Sequence, residues 1–193
     1  MWLEEMERLL AASPVRRLVV VRGPKHAAML VPLYVAFGEL WVLLTQRVGG
    51  RARYVGRFGF PGGMCREGDA DEVATALREA KEEIGLDPSV VVVLGRLDDV
   101  WASNGCVISP VVGAVPYPLA VQPASEEVEA VVRLPFSYLA NPEAVEEHEV
   151  KIAGRTVASP VYHYRSHRLG GPTAHVVADL VGRLTGGAVP LGR

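Results

Sequence analysis

This chain of 193 residues has few cysteines, few lysines and a small net charge. The two cysteines, Cys65 and Cys106, cannot supply the disulfide framework that stabilises small secreted domains. A formal net charge of −2 argues against a broad surface for nucleic acid, so no nucleic-acid partner is predicted. Lysine occurs only three times beside many arginines, a bias that fits either genome composition or adaptation to heat.

Long hydrophobic runs are also missing. The apolar stretches have the length of strands and are interrupted by proline, as at Pro32 and Pro110, so no membrane span is predicted. The amino terminus, MWLEEMERLLAAS, has the pattern of an acidic amphipathic helix and lacks the basic start and apolar centre of a signal peptide. These absences make a soluble cytoplasmic protein the default expectation.

The remaining composition is that of one globular domain over residues 1–193. Hydrophobic residues make up 49% of the chain, which is enough for a sizeable core, and no linker, repeat or low-complexity tract is apparent. Apolar periodicity predicts helices over residues 2–12, 136–139 and 173–184. Strands are predicted at residues 17–22, 28–35, 39–45, 89–94, 107–115, 127–134, 151–157 and 161–165. This order predicts an α/β or α+β domain.

Three glutamates at helical spacing stand out in the segment of residues 60–86, FPGGMCREGDADEVATALREAKEEIGL. Residues three and four apart share one face of a helix, so Glu79, Glu82 and Glu83 form one carboxylate cluster. Like charges at this spacing repel by about 0.2–0.5 kcal/mol per pair, which a divalent cation would relieve. Oxygen ligands without a cluster of His or Cys favour Mg²⁺ or Mn²⁺ over Zn²⁺. The alternative is an ordinary acidic helix face exposed to solvent.

The same segment contains signals that begin, end and orient this helix. Asp69 or Asp71 can cap the amino end, and Gly85 ends the helix where a left-handed residue costs least. Arg78 can pair with a neighbouring carboxylate and fix its orientation. Upstream, Pro-Gly-Gly at 61–63 is predicted to form a tight turn whose backbone can approach an ion or a phosphate. The side of the helix that is predicted to pack on a core consists of Val73, Leu77, Ala80 and Ile84.

Residues 63–86 resemble the Nudix box, G-x5-E-x7-R-E-U-x-E-E-x-G-U, in which U is a bulky apolar residue. Asp69 stands at the first acidic position instead of Glu, and eight residues rather than seven separate it from Arg78. Ala80 is a small stand-in for U. This spacing is similar to that of the coenzyme A diphosphatase branch of the superfamily. The positions that fit the box are Gly63, Arg78, Glu79, Glu82, Glu83, Gly85 and Leu86.

Residues before the box extend the resemblance to the same branch. The signature LLTxR[SA]x3Rx3Gx3FPGG, which accompanies the box in coenzyme A diphosphatases, aligns without a gap over residues 43–63. Val48 replaces the small Ser or Ala, and Ala52 replaces the second Arg, although Arg51 and Arg53 flank it. Further matches downstream extend the resemblance, so that it covers most of residues 30–184.

The resemblance implies a fold, a cofactor and a reaction. The implied fold is a Nudix-type α/β/α sandwich with the metal-binding helix against a mixed sheet. Mg²⁺ or Mn²⁺ on Glu79, Glu82, Glu83 and the Gly63 carbonyl would lower the pKa of bound water. The implied reaction is hydrolysis of the diphosphate in coenzyme A or an acyl-coenzyme A, with 3′,5′-ADP and 4′-phosphopantetheine or its acyl form as products.

The other site predictions concern the general base and the substrate. Glu79 is expected to be a further ligand or the general base, with Arg78 orienting it, and Glu127 is the better candidate for a base outside the box. Residues 46–59 are predicted to be a loop whose arginines bind phosphate oxygens in a bidentate manner. The alternative is that these arginines pair with surface acids. The residues predicted to bind substrate are Arg47, Arg51, Arg53, Arg57, Phe60 and Gly62.

Two alternative functions and the oligomeric state stay open from the sequence alone. The substrate can be another nucleoside diphosphate derivative, such as ADP-ribose or an oxidised nucleotide. The chain can also be a regulatory Nudix module that senses a nucleotide without hydrolysing it, although three intact glutamates argue against this. A homodimer is compatible with the family, but no surface can be assigned to it.

Overall fold

A computed structural model of the chain describes residues 2–18, 25–48, 58–152, 155–165 and 167–186. The helices are α1 (Trp2–Ala11), α2 (Glu72–Ile84), α3 (Phe136–Leu139) and α4 (Pro172–Thr185), with 3₁₀ turns at Pro88–Val90 and Pro142–Ala144. The strands are β1 (His26–Ala36), β2 (Glu39–Arg47), β3 (Phe58–Gly59), β4 (Gly62–Met64), β5 (Val92–Arg96), β6 (Val100–Trp101), β7 (Val107–Ala114), β8 (Val128–Pro135), β9 (Val145–Ile152), β10 (Arg155–Tyr164) and β11 (His167–Leu169).

Within these ranges, eight strands form one mixed sheet and three form a second, antiparallel sheet. The main path of the larger sheet is β3-β2-β1-β7-β5, with β4 paired to β1, β6 to β7 and β8 to β2. Strands β1 and β7 run parallel, whereas the other pairs are antiparallel. Strands β9, β10 and β11 form the smaller sheet. The predicted mixed sheet is confirmed.

The larger sheet lies between two helical layers because alternate residues of its central strand point to opposite faces. Leu30 and Tyr34 of β1 pack in one core with the apolar side of α2. Val31 and Leu33 pack in a second core with α4 and with Leu10 of α1. The predicted α/β/α sandwich is therefore confirmed. None of the helices in the described ranges is long and apolar enough to cross a membrane.

One edge of β1 pairs with two different strands along its length. Strand β2 pairs with β1 over residues 33–36, and β4 pairs with it over residues 27–29. Strand β7 occupies the other edge of β1 from residue 26 to residue 33. The glycines of β4 are therefore placed beside β1 under helix α2.

Several predicted boundaries differ from the structure. The run at 89–94 begins as a 3₁₀ turn, because Asp87 caps it and Pro88 occupies its first position, and strand β5 starts only at Val92. Strand β9 was not predicted over most of its length, since its sequence VEEHEVKI shows little apolar alternation. The predicted loop 46–59 includes the end of β2 and all of β3, while residues 49–57 lie outside the described residues. So does most of the predicted strand at 17–22.

Candidate active site

Helix α2 begins and ends at residues that the sequence marks. The Asp71 carboxylate accepts a hydrogen bond from the backbone N–H of Ala74 at 2.8 Å, so Asp71 and not Asp69 is the N-cap. Gly85 ends the helix in the left-handed conformation, with φ of 68°. These two ends fix which side of the helix meets the sheet. The residues that pack there are those predicted, Val73, Leu77, Ala80 and Ile84.

A cleft of about 540 Å³ opens beside α2, β4 and the amino end of α4, and its volume is typical of a site for a small molecule. Two sets of side chains line it. The charged residues, which we call the acidic side, are Arg47, Arg66, Glu79, Glu83 and Glu127. The neutral residues include Ala102, Asn104 and Cys106 between β6 and β7, Ile108 of β7, and Pro172 and Thr173 at the start of α4.

Two glycines allow the backbone to approach the acidic side of the cleft. A Cβ atom on Gly63 would lie 2.5–2.6 Å from the carboxylate atoms of Glu79, and one on Gly62 would lie 2.5 Å from the carbonyl oxygen of Ala28. Any side chain at either position would collide with these atoms. The prediction of a simple tight turn at 61–63 is wrong, because Gly62 and Gly63 belong to strand β4 and pair with β1.

Arg78 connects the helix to the loop that precedes it. Its Nε and Nη2 atoms donate to the two carboxylate oxygens of Asp69 at 2.9 and 2.8 Å. Nη1 donates to Glu79 Oε1 at 2.6 Å, and Nη2 also donates to the carbonyl oxygen of Met64 at 3.0 Å. The Arg78 guanidinium holds the pKa of Asp69 well below its usual range. Arg78 therefore contacts Glu79 as its predicted orienting role requires.

Arg66 was not predicted as a site residue, although it is the basic residue nearest the glycines on their carboxyl-terminal side. Its two terminal nitrogens donate to the two oxygens of Glu82 at 3.0 and 3.1 Å, and Nη2 lies 3.9 Å from Glu79 Oε1. The Arg66 hydrogen bond lowers the pKa of Glu82. The Glu82 side chain is 44% exposed, whereas Glu79 is largely buried and lines the cleft.

Glu83 is the most buried carboxylate of the cluster, with 4% of its surface exposed. Its oxygens accept from Arg47 Nη2 at 2.7 Å and from the backbone N–H of Gly62 at 3.3 Å. Burial is the largest influence on this group, and it raises the pKa of Glu83 to about 7. Arg47 and the Gly62 amide act in the opposite direction. The structure therefore contains a carboxylate that exchanges its proton near neutral pH.

Arg47 joins the two ends of the predicted coenzyme A signature. Besides Glu83, its guanidinium contacts the carbonyl oxygen of Gly62 at 3.2 Å and Glu127 Oε2 at 3.1 Å. Glu127 is 72% exposed and lies in the turn before β8, so the expectation that it sits on the strand is wrong. Glu129, two residues later, is on the strand, where it accepts a hydrogen bond from Gln46 at 3.1 Å.

The structure thus brings together Arg78, Glu79, Glu82 and Glu83 with the glycines of β4, and it places Arg47 and Glu127 against them. Phe60 lines the cleft but is buried in the core next to α4. The predicted substrate residues Arg51, Arg53 and Arg57 lie outside the described residues. Thr173, which also lines the cleft, was predicted as part of the last helix and belongs to one of the downstream matches of the resemblance, Gly-Pro-Thr-Ala at 171–174.

The donor set fits a divalent cation that prefers oxygen. Glu79, Glu82 and Glu83 offer carboxylate oxygens, and the missing side chain of Gly63 leaves the space into which the Glu79 carboxylate fits. Three arginines balance these charges in the structure, as a bound cation would. A separate group of potential ligands, Glu146, His148 and His163, lies on the smaller sheet, and its nitrogen atoms suit a softer metal.

The chain matches known proteins in sequence. A family model described as NUDIX domain matches residues 24–157. The peroxisomal coenzyme A diphosphatase NUDT7 of Mus musculus is 34% identical over 143 residues, which cover 74% of this chain and 61% of that protein. The chain therefore spans less than two thirds of the length of this relative. The uncharacterized Nudix hydrolase NudL of Escherichia coli strain K12 is 32% identical over 156 residues, 81% of each chain.

Solved structures share the fold. A MutT/nudix family protein from Enterococcus faecalis superposes with a TM-score of 0.59 at 16% identity, covering 95% of this chain and 74% of that one. An Ap4A hydrolase from C. elegans, solved as a binary complex, gives a TM-score of 0.51 at 21% identity, covering 57% and 80%. The family model covers more than half of the chain, and two relatives exceed 30% identity. The chain therefore belongs to the Nudix hydrolase family, the pyrophosphohydrolases that its sequence predicted.

Proposed function

We propose that the chain hydrolyses the diphosphate linkage of coenzyme A or an acyl-coenzyme A, releasing 3′,5′-ADP and 4′-phosphopantetheine or its acyl form. The observation that carries this proposal is the position of Arg47. This residue ends the first part of the coenzyme A signature, and it contacts both Gly62 of the second part and Glu83 of the Nudix box. The similarity to a coenzyme A diphosphatase supports the same substrate class.

Glu79, Glu82 and Glu83, with the Gly63 carbonyl, would hold Mg²⁺ or Mn²⁺. When bound, such a cation neutralises charge on the phosphoryl oxygens and makes water more acidic. Before it binds, Glu83 must release its proton and the arginine contacts of the three glutamates must loosen. Arg47 and Arg66 then have free donors, and a guanidinium group pairs with two phosphate oxygens. Arg47 thus contributes to substrate binding as well as to the charge balance of the cleft.

The chemical step is an in-line displacement at one phosphorus of the diphosphate. The oxygen of a water molecule forms a bond to that phosphorus while the bond to the bridging oxygen breaks, and the second phosphate leaves. Glu79 accepts the proton of this water, and Arg78, which is fixed by Asp69, holds the Glu79 carboxylate in position. Glu127 is a second candidate for this base, since it lines the cleft and is exposed. Arg51, Arg53 and Arg57 stay predicted contacts of the substrate.

The proposal is tested by incubating the purified chain with Mg²⁺ and a panel of coenzyme A, an acyl-coenzyme A, ADP-ribose, NADH and a dinucleoside polyphosphate. We expect the highest kcat/KM with coenzyme A or the acyl form, and 3′,5′-ADP among the products. A preference for ADP-ribose would identify a different nucleoside diphosphate hydrolase. Tight binding of a nucleotide without turnover of any substrate would identify a sensor module. The cytoplasmic location and the homodimer stay predictions.

A further inference from the structure

Two histidines and a glutamate form a compact cluster on the smaller sheet. Glu146 and His148 belong to β9 and His163 belongs to β10, and none of the three lines the cleft. One potential ligand atom from each lies within 4.8 Å of the others. His148 Nε2 is 3.1 Å and His163 Nε2 is 3.3 Å from the same carboxylate oxygen, Glu146 Oε2. Three groups that can bind a metal ion are therefore close to one central position.

The pairing of the two strands brings these side chains together. Glu146 pairs with Val161 in the β9–β10 register, and residues that pair directly or lie two apart share a face of a sheet. Val145 and Tyr162, which alternate with them, pack in the core that contains α4. The backbone of β9 and β10 therefore fixes the spacing of the cluster.

The Nε2 atom of His163 is buried and has no hydrogen-bond partner among the described residues. Glu146 Oε2 is close enough for an electrostatic contact, but it is not aligned with the ring nitrogen for an N–H···O bond. A buried nitrogen without a hydrogen bond costs free energy, which a ligand bound between the ring and the carboxylate would recover.

The separations within the cluster match the coordination of a small divalent cation. Zn²⁺ forms bonds of about 2.0–2.2 Å to nitrogen and oxygen, and a tetrahedral arrangement separates neighbouring ligand atoms by about 3.3–3.5 Å. The two separations from Glu146 Oε2, 3.1 and 3.3 Å, are within a few tenths of an ångström of that value. Imidazole nitrogens suit Zn²⁺, Cu²⁺ and Ni²⁺, whereas the oxygen ligands of the Nudix box suit Mg²⁺. The two groups of ligands thus favour different classes of metal.

The charges around the cluster have both signs. Glu147 and Glu149 are exposed on β9 and favour a bound cation. Arg168 Nη2 lies 3.5 Å from His148 Nδ1, and its charge opposes a bound cation. Because Arg168 is exposed, its side chain can move into solvent when His148 binds a metal through Nε2 and carries its proton on Nδ1.

We propose that Glu146, His148 and His163 form a second metal site, which takes Zn²⁺ or a related transition-metal ion and links β9 to β10. Three protein ligands leave a fourth position for water. This site is distinct from the one in the cleft, and it does not depend on the proposed function.

Nuclear magnetic resonance of the histidine rings reports on this site, because no histidine is among the described residues that line the cleft. The purified chain is freed of metal with EDTA and titrated with Zn²⁺ up to about two equivalents, one for each metal site. A parallel sample receives Mg²⁺. We expect Zn²⁺, and not Mg²⁺, to shift the ring resonances of His148 and His163, which are identified by comparison with His148→Asn and His163→Asn. Rings that stoichiometric Zn²⁺ leaves unchanged would overturn the proposal.

Glu146→Gln and Glu149→Gln remove the same charge from opposite faces of β9. We expect the first to weaken Zn²⁺ binding, followed by the histidine resonances, about tenfold or more, and the second less than about threefold. Equal losses would reduce the effect to the net charge of the strand and would contradict the site. An unchanged melting temperature without metal shows that a variant is folded. If Glu146→Gln is not folded, His148→Asn takes its place with the same expected loss.

Activity separates this site from the proposed function. With Mg²⁺ as the metal, His148→Asn should change kcat/KM less than about twofold. A loss of about tenfold or more would make His148 part of the catalytic site and would contradict a separate role. If the wild-type chain hydrolyses none of the substrates in the panel, the proposed function fails, and the histidine resonances still decide whether the second metal site exists.

Discussion

The charged and the neutral residues around the cleft have partners of different kinds. Each box glutamate already has an arginine partner: Glu79 has Arg78, Glu82 has Arg66 and Glu83 has Arg47. Among the neutral residues, Asn104 Oδ1 accepts from the backbone N–H of Cys106 at 3.1 Å, and the Cys106 thiol lies 3.9 Å from the sulfur of Met64. The glutamates must exchange one charged partner for another when a cation binds, whereas these neutral contacts involve no charge that a cation would replace.

The largest expected effect concerns Glu83, whose carboxylate is the most buried ligand candidate on the acidic side. Glu83→Gln should lower kcat by more than about a hundredfold with Mg²⁺, because an amide oxygen carries no charge to hold the cation. Steady-state kinetics measure the loss of kcat, and titration with Mn²⁺ measures the loss of cation binding. Glu67→Gln, an exposed change in the neighbouring loop, serves as the matched control. Near-normal activity of the folded Glu83 variant would refute the site.

A smaller effect is expected from the backbone of the acidic side. Gly63→Ala would place a methyl group within 2.5–2.6 Å of the Glu79 carboxylate, so this carboxylate must move. We expect a loss of about tenfold or more in kcat, since small displacements of catalytic groups are costly. Gly68→Ala, in the loop that follows β4, meets no atom within 4 Å and should change activity less than about twofold. Equal effects at both positions would contradict the contact.

A third expected effect is on stability, and it depends on pH. Burial raises the pKa of Glu83 from 4.5 to about 7, so between these values the folded chain keeps a proton that the unfolded chain releases. The free energy of unfolding therefore falls as pH rises through this range. Glu83→Gln removes this dependence. We expect the free energy of unfolding of the variant, minus that of wild type, to be about 1–3 kcal/mol larger at pH 8 than at about pH 4. Urea unfolding in EDTA at both pH values measures the difference.

One result would contradict the prediction for the pH dependence of stability. If the variant differs from wild type by the same free energy at both pH values, Glu83 does not titrate in an unusual range. The attraction of Arg47 acts on the ionised form of Glu83, so it is already part of the raised pKa and does not cancel the difference. Comparison across pH is therefore more informative than either value alone.

The local parts of the site could be predicted from the sequence. Helix α2 was predicted because its cap, its final glycine and its apolar spacing are local features of one short stretch of sequence. Arg78 could be assigned for the same reason, since Glu79 is its neighbour and Asp69 is nine residues away. The fold class followed from the order of apolar runs and from the family resemblance.

The parts that depend on distant pairing could not be predicted. Strand β4 is a strand because it pairs with β1, which lies more than thirty residues earlier in the chain. The contact of Arg47 with Glu83 spans 36 positions, and no local pattern indicates it. Strand β9 is mostly polar and becomes a strand by pairing with β10.

The extra residue between Asp69 and Arg78 has a consequence for how this segment can tolerate changes in length. Asp69 lies in a loop, two residues before the helix cap at Asp71, so an added residue there alters only a short irregular connection. An insertion after Asp71 would instead turn every following glutamate by about 100° around the helix axis. Natural variation in the length of this segment should therefore be confined to the loop, while the helical part keeps its count.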